Sequence, residues 1–331
     1  DEIDAGFRGL GEVSGRVFLD ADGSNTQTAL DSSLAGATAA LTVTANLPNL
    51  VATYSAVVSP TNTVASDPNY SFTGLPLGAG VTYDLAISPP ATLPTERPYL
   101  PSDPDVGDDD LDSDGPVIVI TDPTTASLDF DQGFYQEVQV TARVFREIEV
   151  DAAGIDNAFD GVDDQGIAGV SVGLTAITGT LSLSETTDAT GLVTFTVRPG
   201  AYQLAVDQGA AQLAGLLPSP GNTSPVTVTS TGGDGLLLSG EDSNTDNAGS
   251  NSFGYFSPAS VGGTVFFDRD LDEQKGGEPG VGGVEVVLTG PNGPLTTTTE
   301  ATGVYSFTGL LPGTYTVAFT NPDPNNFAFF T

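Results

Sequence analysis

Apolar residues in this chain fall at every second position in short runs, and no long stretch carries them at helical spacing. In YSFTGLLPGTYTVAF, Tyr305, Phe307, Tyr315 and Val317 alternate with small or polar residues, as half-buried strands require, and Pro312-Gly313 marks the turn between them. The pattern predicts a β-hairpin there. It predicts two more over YSFTGLPLGAGVTYDLAI (Tyr70 to Ile87) and VTFTVRPGAYQLAV (Val193 to Val206).

These alternating runs recur in a fixed order, which marks an internal repeat. Units start at GRVFLD (Gly15 to Asp20), ARVFRE (Ala142 to Glu147) and GTVFFD (Gly263 to Asp268). Each continues through a small-residue turn into a strand: LAGATAALTV, IAGVSVGLT and VGGVEVVLT. The first two units finish with FDQGFYQ and NSFGYFS. Short strands at this spacing predict an all-β chain of tandem antiparallel, Ig-like β-sandwich domains. The boundaries read as repeat 1 at 9–136, repeat 2 at 137–257 and an incomplete repeat 3 at 258–331, with residues 1–8 a displaced final strand. The junctions EVQV (Glu137 to Val140) and SPAS (Ser257 to Ser260) leave little slack, so the spacing predicts an elongated rod.

Composition narrows the chemistry. The 331 residues include 41 Gly and 23 Pro but no His, Cys, Met or Trp. That removes a catalytic imidazole, a thiol nucleophile, disulfides and Cys/His zinc sites. A bound metal would have to be a hard cation on oxygen ligands. With 43 acidic residues against 8 basic ones the net charge is −35, which excludes nucleic acid and anionic membrane surfaces as partners. No apolar run is long enough to insert into a bilayer. Nothing marks a substrate cleft, an oxyanion site or a cofactor loop, so no enzyme is expected. A carbohydrate-binding module would show exposed aromatics, but most Tyr and Phe fall in the strand pattern. The sequons at Asn69 and Asn222 read as chance in a Ser/Thr-rich chain.

The acids are clustered. In DADGSNTQTALD, residues Asp20, Asp22, Ser24, Thr26, Thr28 and Asp31 occupy positions 1, 3, 5, 7, 9 and 12 of a calcium loop. Asn25 stands where such loops carry Gly, and Asp31 is shorter than the usual closing Glu. In repeat 3, Asp268, Asp270 and Asp272 keep the 1, 3, 5 spacing and Glu278 closes one residue early. In repeat 2, Arg146 reads as a replacement of the leading Asp, the loop is longer, and its acids come late, at Asp151, Asp156, Asp160, Asp163 and Asp164. Of these, Asp156, Asp160 and Asp164 are the candidate ligands. A second cluster, GDDDLDSDG, packs Asp108, Asp109, Asp110, Asp112 and Asp114 into seven residues that repel one another without a counter-ion.

In order, these features are a first strand with its acidic loop, G-V-x-V, Y-x-F-x-x-L-x-P-G-x-Y-x-V, D-D-D-L-D-S-D and D-F-D-x-G-F-Y. Together they resemble the calcium-binding B domains of Sdr-type bacterial surface proteins, within the wider collagen-adhesin B-type, prealbumin-like sandwiches. The resemblance covers nearly the whole chain. It implies an extracellular or cell-surface stalk or adhesin rather than an enzyme, with structural Ca2+ clamping the loops, the Asp108–Asp114 cluster included. Domains of the wider family often carry a Lys–Asn isopeptide bond. Here the single lysine, Lys275, lies in an acidic loop, and first strands carry Arg16 and Arg143, so none is expected.

The opening DEIDAGF is similar to the closing LDFDQGF of repeat 1 (Leu128 to Phe134). It reads as a final strand, either donated head-to-tail into repeat 3 of another copy or belonging to an adjacent repeat of a longer chain. The expected function is a segment of a fibre or stalk. The alternative is an adhesin that binds a protein or glycan ligand.

Overall fold

A computed structural model describes residues 9–45, 51–57, 68–92, 97–104, 113–148, 155, 157–159, 163–230 and 251–321. Its elements are strands apart from one short 3-10 turn, Ala211–Leu213. Among the described residues they form three β-sandwich units in tandem, each packed on its own hydrophobic core.

In repeat 1, Leu10–Gly15 lies between Tyr70–Pro76, antiparallel, and Ser127–Asp129, parallel. The chain continues as Val17–Leu19 between Ser32–Ser33 and Gln132–Gln136, and Gln132–Gln136 also pairs Tyr99–Pro101. The facing sheet runs Val51–Val57, Thr38–Ala45, Val81–Ser88, Val117–Thr121. Alternate residues of these strands meet in the core, among them Val13, Leu41, Val43, Phe72, Tyr83, Leu85 and Phe134. Repeat 2 repeats the plan. Val138–Glu147 pairs Leu192–Val197, Gln165–Gly166 and, in parallel, Ser252–Phe256. Opposite lie Ser182–Thr186, Ser171–Ala176, Gly200–Val206 and Val226–Ser230. In repeat 3, Ala259–Thr264 pairs Val304–Leu310 and faces Gly293–Thr298, Glu285–Gly290 and Thr316–Phe319 around Val286, Leu288, Phe307 and Leu310.

The predicted hairpins are corners instead. Tyr70–Pro76 pairs with the first strand of one sheet, while Val81–Ser88 pairs with Thr38–Ala45 and Val117–Thr121 in the other. The same division separates Leu192–Val197 from Gly200–Val206, and Val304–Leu310 from Thr316–Phe319. The second strand of each pair is already paired with a strand of its own sheet. The two apolar faces therefore meet across the core rather than edge to edge. Gly200 at φ 153° and Gly313 at φ 154° turn the chain at two of these corners.

Only Glu137 separates strands Gln132–Gln136 and Val138–Glu147, and only Ser257-Pro258 separates Ser252–Phe256 from Ala259–Thr264. The segment Asp1–Phe7 lies outside the described residues.

Candidate metal centres

The strand register aligns the three acidic loops. Gly133 pairs Phe18 and Gly254 pairs Phe145, while Phe18, Phe145 and Phe266 pair Ser33, Gly166 and Gly280 in turn. Two residues after each Phe stands an opening acid: Asp20, Glu147 and Asp268. Two residues before each partner stands a closing acid: Asp31, Asp164 and Glu278.

The same hydrogen bonds recur around both acids. The N–H following each opening acid donates to the closing acid: Ala21 to Asp31 Oδ1 at 2.7 Å, Ile148 to Asp164 Oδ1 at 3.2 Å, and Arg269 to Glu278 Oε1. A left-handed residue inside each loop donates back to the opening acid. These are Asn25 at 3.2 Å, Asn157 at 2.5 Å and Glu273 at 3.1 Å, with φ of 64°, 66° and 63°. Asn tolerates this conformation, which accounts for Asn25 at the turn. Ser102 donates to Asp20 at 2.7 Å and its counterpart Ser219 donates to Glu147.

This corrects the reading of repeat 2. Arg146 does not replace the leading acid, because Glu147 occupies that position and is buried. The sequence signal was present in VFLD against VFRE, one residue further along. Asp164 takes the closing position, while Asp156 and Asp160 lie outside the described residues.

In repeat 1 the structure brings together Asp20, Asp22 and Asp31, with one oxygen of each within 4.8 Å of the others. The Thr28 hydroxyl lies 3.0 Å from both Asp22 Oδ2 and Asp31 Oδ2. Ser24 Oγ instead donates to the Thr26 carbonyl at 2.8 Å, and Thr26 Oγ1 lies 3.3 Å from Ser24 Oγ. Burial raises the pKa of Asp20 above the usual carboxylate value and pushes Asp31 up to about 6, even though backbone N–H groups bond both. In repeat 3, Asp268, Asp270 and Asp272 converge within the same 4.8 Å. Glu278 closes the loop from outside that group, and its Oε2 is buried without a hydrogen-bond partner.

These donor sets fit a hard cation. Two carboxylate charges at such separations repel by about 1 kcal/mol in bulk water and about 4 kcal/mol at an effective dielectric near 20. A divalent ion reverses that sign, and the orphaned Glu278 oxygen is the kind of acceptor it would satisfy.

Of the second cluster, Asp108, Asp109, Asp110 and Asp112 lie outside the described residues. Asp114 Oδ2 accepts the Asp131 N–H at 2.7 Å. Sequence reasoning missed Asp131, in the D-F-D segment. It is buried, its Oδ1 accepts the Arg16 N–H at 2.6 Å, and burial, aided by Asp129 and Asp114, pushes its pKa up to about 8.

Both sequons are structural. Asn69 is buried and its amide bonds both backbone groups of Val17, at 2.9 and 2.8 Å. Asn222 Nδ2 donates to the Gly254 carbonyl at 2.8 Å.

Fold and loops define a class: tandem β-sandwich repeats, each with an acidic loop after its first strand. Residues 259–330, in repeat 3, match the family model described as SdrD B-like domain. The chain is 30% identical over 273 residues to serine-aspartate repeat-containing protein F of Staphylococcus epidermidis, covering 80% of this chain and 15% of that protein. It is 30% identical over 284 residues to protein E of Staphylococcus aureus, covering 83% and 23%. Against protein D of Staphylococcus aureus the identity is 33% over 225 residues, covering 65% and 16%. The chain thus spans less than a quarter of these relatives' length. Among solved structures it is similar to a streptococcal ancillary pilin at 13% identity and TM-score 0.26, over 98% of this chain and 93% of that one.

Proposed function

We propose that this chain is a load-bearing segment of an extracellular stalk or fibre, in which Ca2+ bound by the acidic loops holds the end of each sandwich rigid. The observation that carries this reading is the recurrence of one loop framework in three repeats. Each repeat has an opening acid, a closing acid and the same backbone donors to them. Carboxylates folded this closely without a counter-ion weaken the domain. An ion that binds only the folded loop stabilises it, by about 2.7 kcal/mol at a hundredfold excess over Kd. Junctions of one and two residues support the mechanical half of the reading, since so short a link transmits orientation.

Asp20, Asp22 and Asp31 would hold the ion in repeat 1, and Asp268, Asp270 and Asp272 in repeat 3. Head-to-tail association through Asp1–Phe7 belongs to the same reading. Its support is the likeness of DEIDAGF to the strands that pair, in parallel, with the first strand of repeats 1 and 2. Isothermal titration with calcium tests the proposal. The intact chain should bind calcium, and Asp20→Asn with Asp31→Asn should remove the repeat 1 component while leaving that of repeat 3. A flat titration of the intact chain would refute it.

A further inference from the structure

The corner between the two sheets of repeat 2 carries Arg198, and that side chain leaves its own domain. The Arg198 carbonyl accepts the Tyr202 hydroxyl at 2.6 Å, which fixes the corner from within repeat 2. The guanidinium crosses to repeat 1. There Nη1 bonds Asp103 Oδ2 at 2.9 Å, Nη2 bonds Asn25 Oδ1 and lies 3.5 Å from Asp20 Oδ2, and the guanidinium carbon sits 4.8 Å from the centre of the Tyr135 ring. The Asp103 N–H also donates to Asn25 Oδ1, at 3.0 Å. Backbone packs against backbone beside it: a Cβ added at Gly23, where φ is +68°, would lie 2.0 Å from the Pro199 carbonyl oxygen.

We propose that Arg198 is the pin of the joint between repeats 1 and 2, seated in a socket formed by the first acidic loop, Asp103 and Tyr135. The joint between repeats 2 and 3 is built differently. The matching corner residue is Leu311, whose carbonyl accepts the Tyr315 hydroxyl at 2.7 Å. Pro220 follows Ser219 where Asp103 follows Ser102. The approach there is apolar, with the Gly309 Cβ position 3.7 Å from Leu217 Cδ1. The first joint is therefore ionic and salt-sensitive, whereas the described contact at the second is apolar.

Asp20 links the pin to the loop. Its Oδ1 accepts the Ser24 N–H at 3.0 Å inside the loop, while its Oδ2 faces Ser102 and Arg198 at the joint. Loop occupancy and joint stiffness therefore share one carboxylate, a consequence that rests on the calcium reading above. The pin itself does not rest on it.

The chain has no cysteine, so paired spin labels can be placed at introduced cysteines in repeats 1 and 2, or in repeats 2 and 3, of the full chain. Pulsed dipolar spectroscopy should give a narrow distance distribution across the first joint. Arg198→Gln and, separately, Asp103→Asn should broaden it by about twofold or more, and so should ~1 M salt, where the screening length falls to about 3 Å. The second joint should keep its width in all these conditions. Equal widths for the parent and Arg198→Gln across the first joint would overturn the pin. If chelation leaves the parent's width unchanged while Arg198→Gln broadens it, the pin stands and its link to the loop falls. Calorimetric calcium titration of the same samples reports separately on the calcium reading.

Discussion

Asn69 shows how far a single side chain can reach into this fold. Its amide stands between the first strand and the strand that begins at Tyr70, occupying both the N–H and the carbonyl of Val17. Removing it strands two buried backbone groups, each costing about 1–3 kcal/mol. Asn69→Ala should therefore lower the stability of repeat 1 by about 2 kcal/mol or more in urea unfolding, and a change near zero would contradict this role. Asp31 and Asp131 make a prediction of the opposite kind. Burial raises both carboxyls, to about 6 and about 8, above the unfolded value near 3.8. The folded chain thus holds these protons more tightly than the unfolded chain. The stability they contribute is present at acidic pH and lost as pH rises through those values. Calcium-stripped protein should melt higher at about pH 5 than at about pH 8; scanning calorimetry showing the reverse order would contradict it.

At the scale of elements, the strands were legible and their pairing was not. Alternation placed Tyr70–Pro76, Leu192–Val197 and Val304–Leu310 well, because one face of each meets the core. Alternation is identical for a strand that pairs with its successor and one that faces it across a sandwich, so the corners read as hairpins. The loops divide in the same way. Spacing exposed Asp20, Asp22 and Asp31, and also Asp268, Asp270 and Asp272, since those acids are close in sequence as well as in space. Glu147 was missed because Arg146 was set against the leading Asp, although VFRE against VFLD already places an acid one residue further along, as the strand register shows. Asp131 was missed because a lone acid inside a strand-like segment carries no spacing signal. One prediction separates the corrected alignment from the earlier one. Glu147→Gln should weaken any cation binding by repeat 2 about tenfold or more, whereas Arg146→Ala should leave it unchanged; the opposite pattern in calorimetric titrations would restore the original alignment.

Over the whole molecule, three cores in series, joints of one or two residues and a charge of −35 are the features on which the proposed stalk rests. These acids would drive the loops apart, and in the proposed function calcium is the counter-ion that would turn the same residues into clamps. The two joints need not respond alike, since the proposed Arg198 pin belongs to the first and Leu311 stands at the matching corner of the second. The central claim is that the loops are structural calcium sites, and thermal unfolding of the intact chain in excess calcium and in excess chelator tests it most directly. The account predicts a melting transition several degrees higher in calcium, roughly 2–8 °C for each kcal/mol of binding free energy. That gain should shrink in Asp20→Asn and in Asp268→Asn. Superimposable transitions in calcium and chelator would contradict it.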